Sequence, residues 1–226
     1  TQLLETNNTP PQTYARLNSL RADAAKLVAA WREEGVDYDF VTRDWTGENL
    51  AFELKSHPPL TTLESFRQGW FYIQDPSTLL AVRELRPQTG ESILDLCAAP
   101  GGKTTFIAQL MKNEGRIVAH DNVPDRLKLI QENIARLGVT NVEATSTLDP
   151  RPATFDRILV DAPCSNTGVL RRRRARLRQW HRRRGRGVRR PDREDVRGHG
   201  LLRRRRRLHG GLHLRSLGLL RLRRRR

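Results

Sequence analysis

Leu94-Asp95-Leu96-Cys97-Ala98-Ala99-Pro100-Gly101-Gly102-Lys103-Thr104 decides how this chain is read. Residues 93–96, apolar except for Asp95, have the look of a buried strand, and a helical pattern follows over 104–112. The small residues between them let the backbone turn tightly. Gly101 and Gly102 offer bare main chain for a ligand to lie against. The start of the helix presents N–H groups with no partner inside the helix. Gly102-Lys103-Thr104 superficially matches a phosphate-binding loop. That loop needs a glycine five residues before Gly102, and Cys97 stands there. A nucleoside triphosphatase is therefore set aside.

Outward from this turn, strand and helix alternate. Residues 116–120 read as a strand, 124–137 as a helix closed by Gly138, and 142–145 and 155–160 as strands. Such alternation implies a parallel sheet with helices on both faces. Ligands in such sheets bind beyond the carboxyl ends of the strands. Residues 95–103, Asp121 and 161–165 all fall at such ends. A lone Gly-Gly would be an ordinary structural turn. With Asp121 closing the next strand, a carboxylate is available to two ribose hydroxyls.

The third strand end is Asp161-Ala162-Pro163-Cys164-Ser165, after the apolar Ile158-Leu159-Val160. Pro163 stiffens the chain and places Cys164 at the mouth of the crevice. A thiolate there is a nucleophile suited to an electron-poor ring carbon, and Asp161 could bond the ring nitrogen and amino edge of a cytosine. A free cysteine is often only a small buried residue. The polar strand-end loop favours the chemical reading for Cys164. Cys97 ends a buried strand and reads as packing.

Before this sheet lies a smaller α/β piece. Residues 14–20 alternate as a strand, and 22–34 carry Ala24, Leu27, Val28 and Trp31 at helical spacing before Gly35. Strands follow at 36–41, 50–54 and 70–74, with a turn at 56–59. Asp75-Pro76 opens a helix to about Arg86, with Asp75 as cap.

The 226 residues have a formal charge of +17 and a pI near 11.3, but the charge is unevenly placed. Residues 1–170 hold 12 Arg and 5 Lys against 22 acids, a formal −5. Residues 171–226 hold 25 Arg against three acids, a formal +22. The global pI therefore describes the tail, and phosphate attraction is a local property of a surface. The tail has no Ile, Phe, Tyr, Met, Lys, Asn, Thr or Cys, and no helical or strand period survives in it for long. Arg, Leu, Gly and His together are what a GC-rich coding sequence gives out of frame, so 171–226 reads as a frameshifted, disordered tail. The competing reading is an arginine-rich RNA-binding arm. Two cysteines and no signal peptide fit a reducing, cytoplasmic setting. No metal-ligand spacing is present, and no apolar run nears the roughly 20 residues that span a bilayer. A start at Thr1 in what looks like mid-domain suggests a fragment.

The chain resembles the Sun/Fmu-type RNA (cytosine-5)-methyltransferases, the bacterial 16S rRNA branch most of all. The resemblance runs over 3–173. It rests on LDLCAAPGGKT at 94–104 and FDRILVDAPCSNTGVLRR at 155–172, supported by NNTPPQTYARLN at 7–18 and GWFYIQDPS at 69–77. It implies a Rossmann-like methyltransferase domain over 75–170, preceded by a small RNA-recognition-like α/β domain over 1–74, acting on RNA as a monomer without metal or membrane. It implies S-adenosylmethionine as cofactor, lined by Ala98, Ala99, Pro100, Gly101, Gly102, Lys103 and Thr104. Asp121 would hold the ribose, and Asp161 would lie beside the methyl group and base. Thr147 or Ser146 stands where the family has an Asp near the adenine. Lys103, Asp161 and Cys164 are the catalytic candidates. The family uses two cysteines: the one in Asp-Ala-Pro-Cys, here Cys164, assists release, and the attacking one lies in a later Thr-Cys-Ser. No cysteine follows Cys164 here, so the resemblance also implies a chain that does not complete the reaction.

Overall fold

Ile93, Leu94 and Asp95 are buried together in β5 (Ser92–Leu96), a strand covered on both sides. A central parallel strand is mostly apolar because both its faces are covered, and Asp95 is the one acid buried in it. β6 (Arg116–His120) and β8 (Arg157–Val160) flank it in parallel, with Ile93 opposite Ile117 on one side and Arg157 on the other. β7 (Val142–Thr145) adds to β6. The computed structural model describes residues 11–148, 155–162 and 218–220. From the arginine-rich tail, β9 (Gly218–Leu220) pairs antiparallel with β8, giving the order β7-β6-β5-β8-β9. The rest of the tail, with its frameshift and disorder readings, lies outside the described residues.

A second, four-stranded antiparallel sheet precedes this one, in the order β2-β3-β1-β4: β1 (Thr13–Leu17), β2 (Asp37–Phe40), β3 (Ala51–Ser56) and β4 (Phe71–Ile73). α1 (Ala24–Glu33) covers one face. Asp23 caps it by accepting from the Lys26 amide at 2.7 Å, one residue beyond the Ala22 start expected from apolar spacing. Trp31 anchors the contact, with Phe52 and Phe71 packed edge-on at 5.1 and 5.2 Å. On the opposite face the Lys55 ammonium bridges Asp39 and Glu53, each at 3.0 Å.

Two local expectations shift. Asp75 caps as expected, accepting from the Ser77 amide, but it caps one 3₁₀ turn, Pro76–Thr78, before α3 (Leu79–Leu85). The helix after the glycine turn, α4 (Gly102–Leu110), begins two residues before the expected 104, because Gly101 takes a left-handed φ of 100° and closes the turn itself. The short α2 (Glu64–Arg67) has no apolar period and was not expected. α5 (Pro124–Leu137) opens on its proline and closes on Gly138 as read from sequence.

The expected boundary at 74/75 falls between the sheets, yet one buried core runs through both, from Ala15, Phe52 and Phe71 to Ile93, Phe106 and Leu159. Among the described residues no helix is long and apolar enough to cross a membrane, and no cluster of His, Cys, Asp or Glu is suited to a metal.

Candidate donor crevice

The carboxyl ends of β5, β6 and β8 bring together the glycine turn, Asp121 and Asp161. Asp121 is 1% exposed. Its Oδ1 accepts from the Val123 amide at 3.1 Å and its Oδ2 from the Ala99 amide at 3.3 Å. The Arg126 guanidinium, on α5, sits 3.2 Å from Oδ2 and donates to the Ala99 carbonyl at 2.8 Å. Asn133, further along α5, donates to the Pro100 carbonyl at 2.9 Å. The turn is thus pinned from α5 at two successive carbonyls, one on each side of the cis Ala99–Pro100 bond. Arg126 and Asn133 are outside the residues picked from sequence. A polar residue on an exposed helix face gives no local sign that it reaches a loop some 27 to 33 positions earlier.

Lys103 and Asp161 meet as expected of partners in one site: Nζ lies 2.6 Å from Oδ2, with the lysine mostly covered and the aspartate half exposed. Val123 and Leu148 stay 40% exposed near the ends of β6 and β7, leaving apolar surface on the side of Asp121. Ser146 and Thr147 are exposed, and the Thr147 amide is held by Thr145 Oγ1 at 3.2 Å.

Other expectations are corrected. Gly102 does not offer its bare face to a ligand. A Cβ there would meet Tyr72 at 3.0 Å and Gln74 at 3.4 Å, so the missing side chain lets α4 press against β4. Gly101 likewise faces Ile130 on α5. The Thr104 side chain does not line the crevice. It is fully buried, and its Oγ1 donates to Asp95 Oδ2 at 2.6 Å. Cys97 is not core packing. It is half-buried with a left-handed φ of 60°, because the strand ends at Leu96 and the turn starts on the cysteine. Burial, with Asp121 adding to it, pushes the Cys97 thiol up, away from the thiolate form. Cys164 and Pro163 lie outside the described residues.

Asp95 is the buried acid that sequence reading passed over. It is 1% exposed, and its Oδ1 has no hydrogen-bond partner among the described residues. Burial pushes its carboxyl up to about 7, and Asp161 adds to this, against the Thr104 bond and the Lys103 charge. The folded state therefore holds a proton that the unfolded chain releases near pH 4. The stabilisation is complete below that pH and is lost as pH rises to about 7. Relative to the wild type, Asp95→Asn should gain stability between pH 4 and 7. The gain is a few kcal/mol at most, because each tenfold difference in proton affinity between folded and unfolded chain is worth about 1.4 kcal/mol. Denaturant titrations of both proteins across that window check this. A pH-independent difference would contradict the buried, proton-holding Asp95.

Residues 82–186 match the family model described as 16S rRNA methyltransferase RsmB/F. Over that stretch, just under half of its length, the chain is similar to the RsmB/F methyltransferases. It is 41% identical over 171 residues to the probable ribosomal RNA small subunit methyltransferase B of Bacillus subtilis, covering 73% of this chain and 37% of that protein. It is equally similar, 41% over 174 residues, to a mouse 28S rRNA (cytosine-C(5))-methyltransferase, covering 75% of this chain and 22% of that protein. The chain thus spans well under half the length of these two relatives. Among solved structures, a methyltransferase homologue from Pyrococcus horikoshii superposes with a TM-score of 0.65 at 34% identity, over 77% of this chain and 58% of that one. The Rossmann-like methyltransferase fold that the resemblance implies is the fold of the parallel sheet and its helices.

Proposed function

We propose that the crevice binds S-adenosylmethionine and that the chain derives from an enzyme that methylates C5 of cytosine in ribosomal RNA. The observation that carries this reading is the convergence of Asp121, the 98–104 turn and the Lys103–Asp161 pair on one set of strand ends. These residues suit the donor. The buried Asp121 carboxylate is fixed by two backbone amides and has acceptor capacity for ribose hydroxyls, with Val123 and Leu148 as apolar flanks for a base. Thr147 is the candidate for the adenine edge. When bound, the donor supplies an electrophilic methyl group on its sulfonium.

Cytosine C5 is a poor nucleophile until a thiolate adds to C6. C5 then takes the methyl group, loses its proton, and the sulfur leaves. Asp161 would hold the amino edge of the base, and the Lys103 ammonium 2.6 Å away aims that carboxylate. Cys164 would assist release of the sulfur. The attacking thiol has no counterpart after Cys164. This favours a second reading of the 226-residue chain itself: a donor-binding relative that does not turn over, with RNA affinity from its basic tail. Both the B. subtilis and mouse relatives are named for rRNA, of the small and large subunit respectively, so the parent target is rRNA of either subunit. The expected setting is the cytoplasm.

Isothermal titration of the chain with S-adenosylmethionine tests the donor reading. One site per chain is expected. Folded protein that gives no heat and no shift in unfolding temperature with donor would overturn it.

A further inference from the structure

The first sheet reaches the glycine turn through a fully buried guanidinium. Arg16, on β1, is 1% exposed. Its Nη1 donates to the Gly102 carbonyl at 2.8 Å and to Gln74 Oε1 at 2.5 Å. Its Nη2 donates to Thr105 Oγ1 at 3.0 Å, and that hydroxyl donates in turn to the same Gly102 carbonyl at 3.2 Å. The guanidinium also lies over the rings of Phe106 and Tyr72, at 5.0 and 5.5 Å. None of the acceptors is a carboxylate. A charge surrounded by neutral acceptors is costly to bury, and its Nε lacks a partner among the described residues. An apolar side chain would join the sheet to α4 at lower cost, so the arrangement calls for a reason beyond packing.

The atom being held suggests that reason. The Gly102 carbonyl and the Lys103 amide belong to one planar peptide unit. Fixing the oxygen from the β1 side therefore fixes where the Lys103 N–H points, in the first turn of α4, where amides have no helical partner. It also fixes the backbone that carries the Lys103 side chain to Asp161. The geometry points to Arg16 as a positioning residue for the donor: from β1 it sets the Gly102–Lys103 peptide that joins the glycine turn to Lys103, so the first sheet controls donor affinity. This rests on the donor reading above.

Two conservative variants and a control test it. Arg16→Lys keeps the buried charge but cannot reach Gly102 and Thr105 together. Thr105→Val keeps the shape and removes the hydroxyl that both accepts from Arg16 and donates to Gly102. Phe52→Leu weakens the first sheet on its α1 face, away from Arg16. Donor affinity is measured by calorimetry, and unfolding midpoint by circular dichroism, on the full chain. Arg16→Lys should weaken S-adenosylmethionine about tenfold and Thr105→Val about threefold. Phe52→Leu, lowered in midpoint, should bind as the wild type does. Donor affinity that follows the midpoint through all three variants would overturn the assignment, and so would unchanged affinity in Arg16→Lys and Thr105→Val. If both fail to fold, Arg16 is a folding residue and the positioning role falls. A wild type that binds no donor fails the donor reading instead, and is recognised before any variant is made.

Discussion

Labelled methyl transfer from S-adenosylmethionine to rRNA by this chain is expected to stay at background. Covalent catalysis at C6 needs a thiolate that attacks and a second group that helps it leave. The sequence supplies Cys164 for the second task and no cysteine for the first after it. Removing a covalent nucleophile lowers the rate by about 10³-fold or more. The Cys97 thiol is no substitute, because burial and Asp121 hold it toward the neutral form. Cys164→Ser should leave the background unchanged. Robust transfer that disappears in Cys164→Ser would mean that Cys164 makes the attack, as the Pro-Cys thiol of DNA cytosine-5 methyltransferases does, and the assignment of roles would be wrong.

RNA affinity is expected to divide from donor affinity along the chain. Residues 171–226 carry a formal +22, and 1–170 carry −5. The full chain should bind unrelated RNAs with similar strength. It should lose about 10³-fold or more between roughly 50 and 200 mM salt if six or more phosphates are engaged. Deleting 171–226 should remove most of that affinity and flatten the salt dependence. The deletion also removes β9 and leaves β8 as an open edge, which favours association of the truncated protein. Filter binding across a salt series, on the soluble fraction, decides it. A truncated body that keeps the full affinity and discriminates between RNAs would place recognition in 1–170.

The parallel sheet was legible because its signal is local. Mostly apolar stretches at 93–96 and 117–119, Pro124 and Gly138 at the ends of a helix, and aspartates at strand ends each report on their own neighbourhood. Three elements, 116–120, 124–137 and 142–145, run as expected, and the others differ by up to three residues, mostly where a side-chain cap or a left-handed residue such as Gly101 or Arg86 sets the end. The supports of the site were not legible, because they are long-range. Arg16 holds a carbonyl 86 residues away, and Arg126 and Asn133 reach back to the turn from an exposed helix face. Glycines are ambiguous for the same reason. Gly102 reads as room for a ligand, and the room is taken by Tyr72 and Gln74. Thr104 reads as part of the lining, and burial turns it onto Asp95.

The donor crevice depends most on Asp121. Titration of S-adenosylmethionine into Asp121→Asn beside the wild type tests it most directly. The substitution keeps the shape and removes the charge that two hydroxyl donors would share, and hydrogen bonds to a charged group contribute about 1.5–3 kcal/mol each. A wild type that binds one donor and a folded variant that binds it about 10²-fold more weakly is the expected result. Equal affinity in the two proteins would contradict it and put the ribose elsewhere.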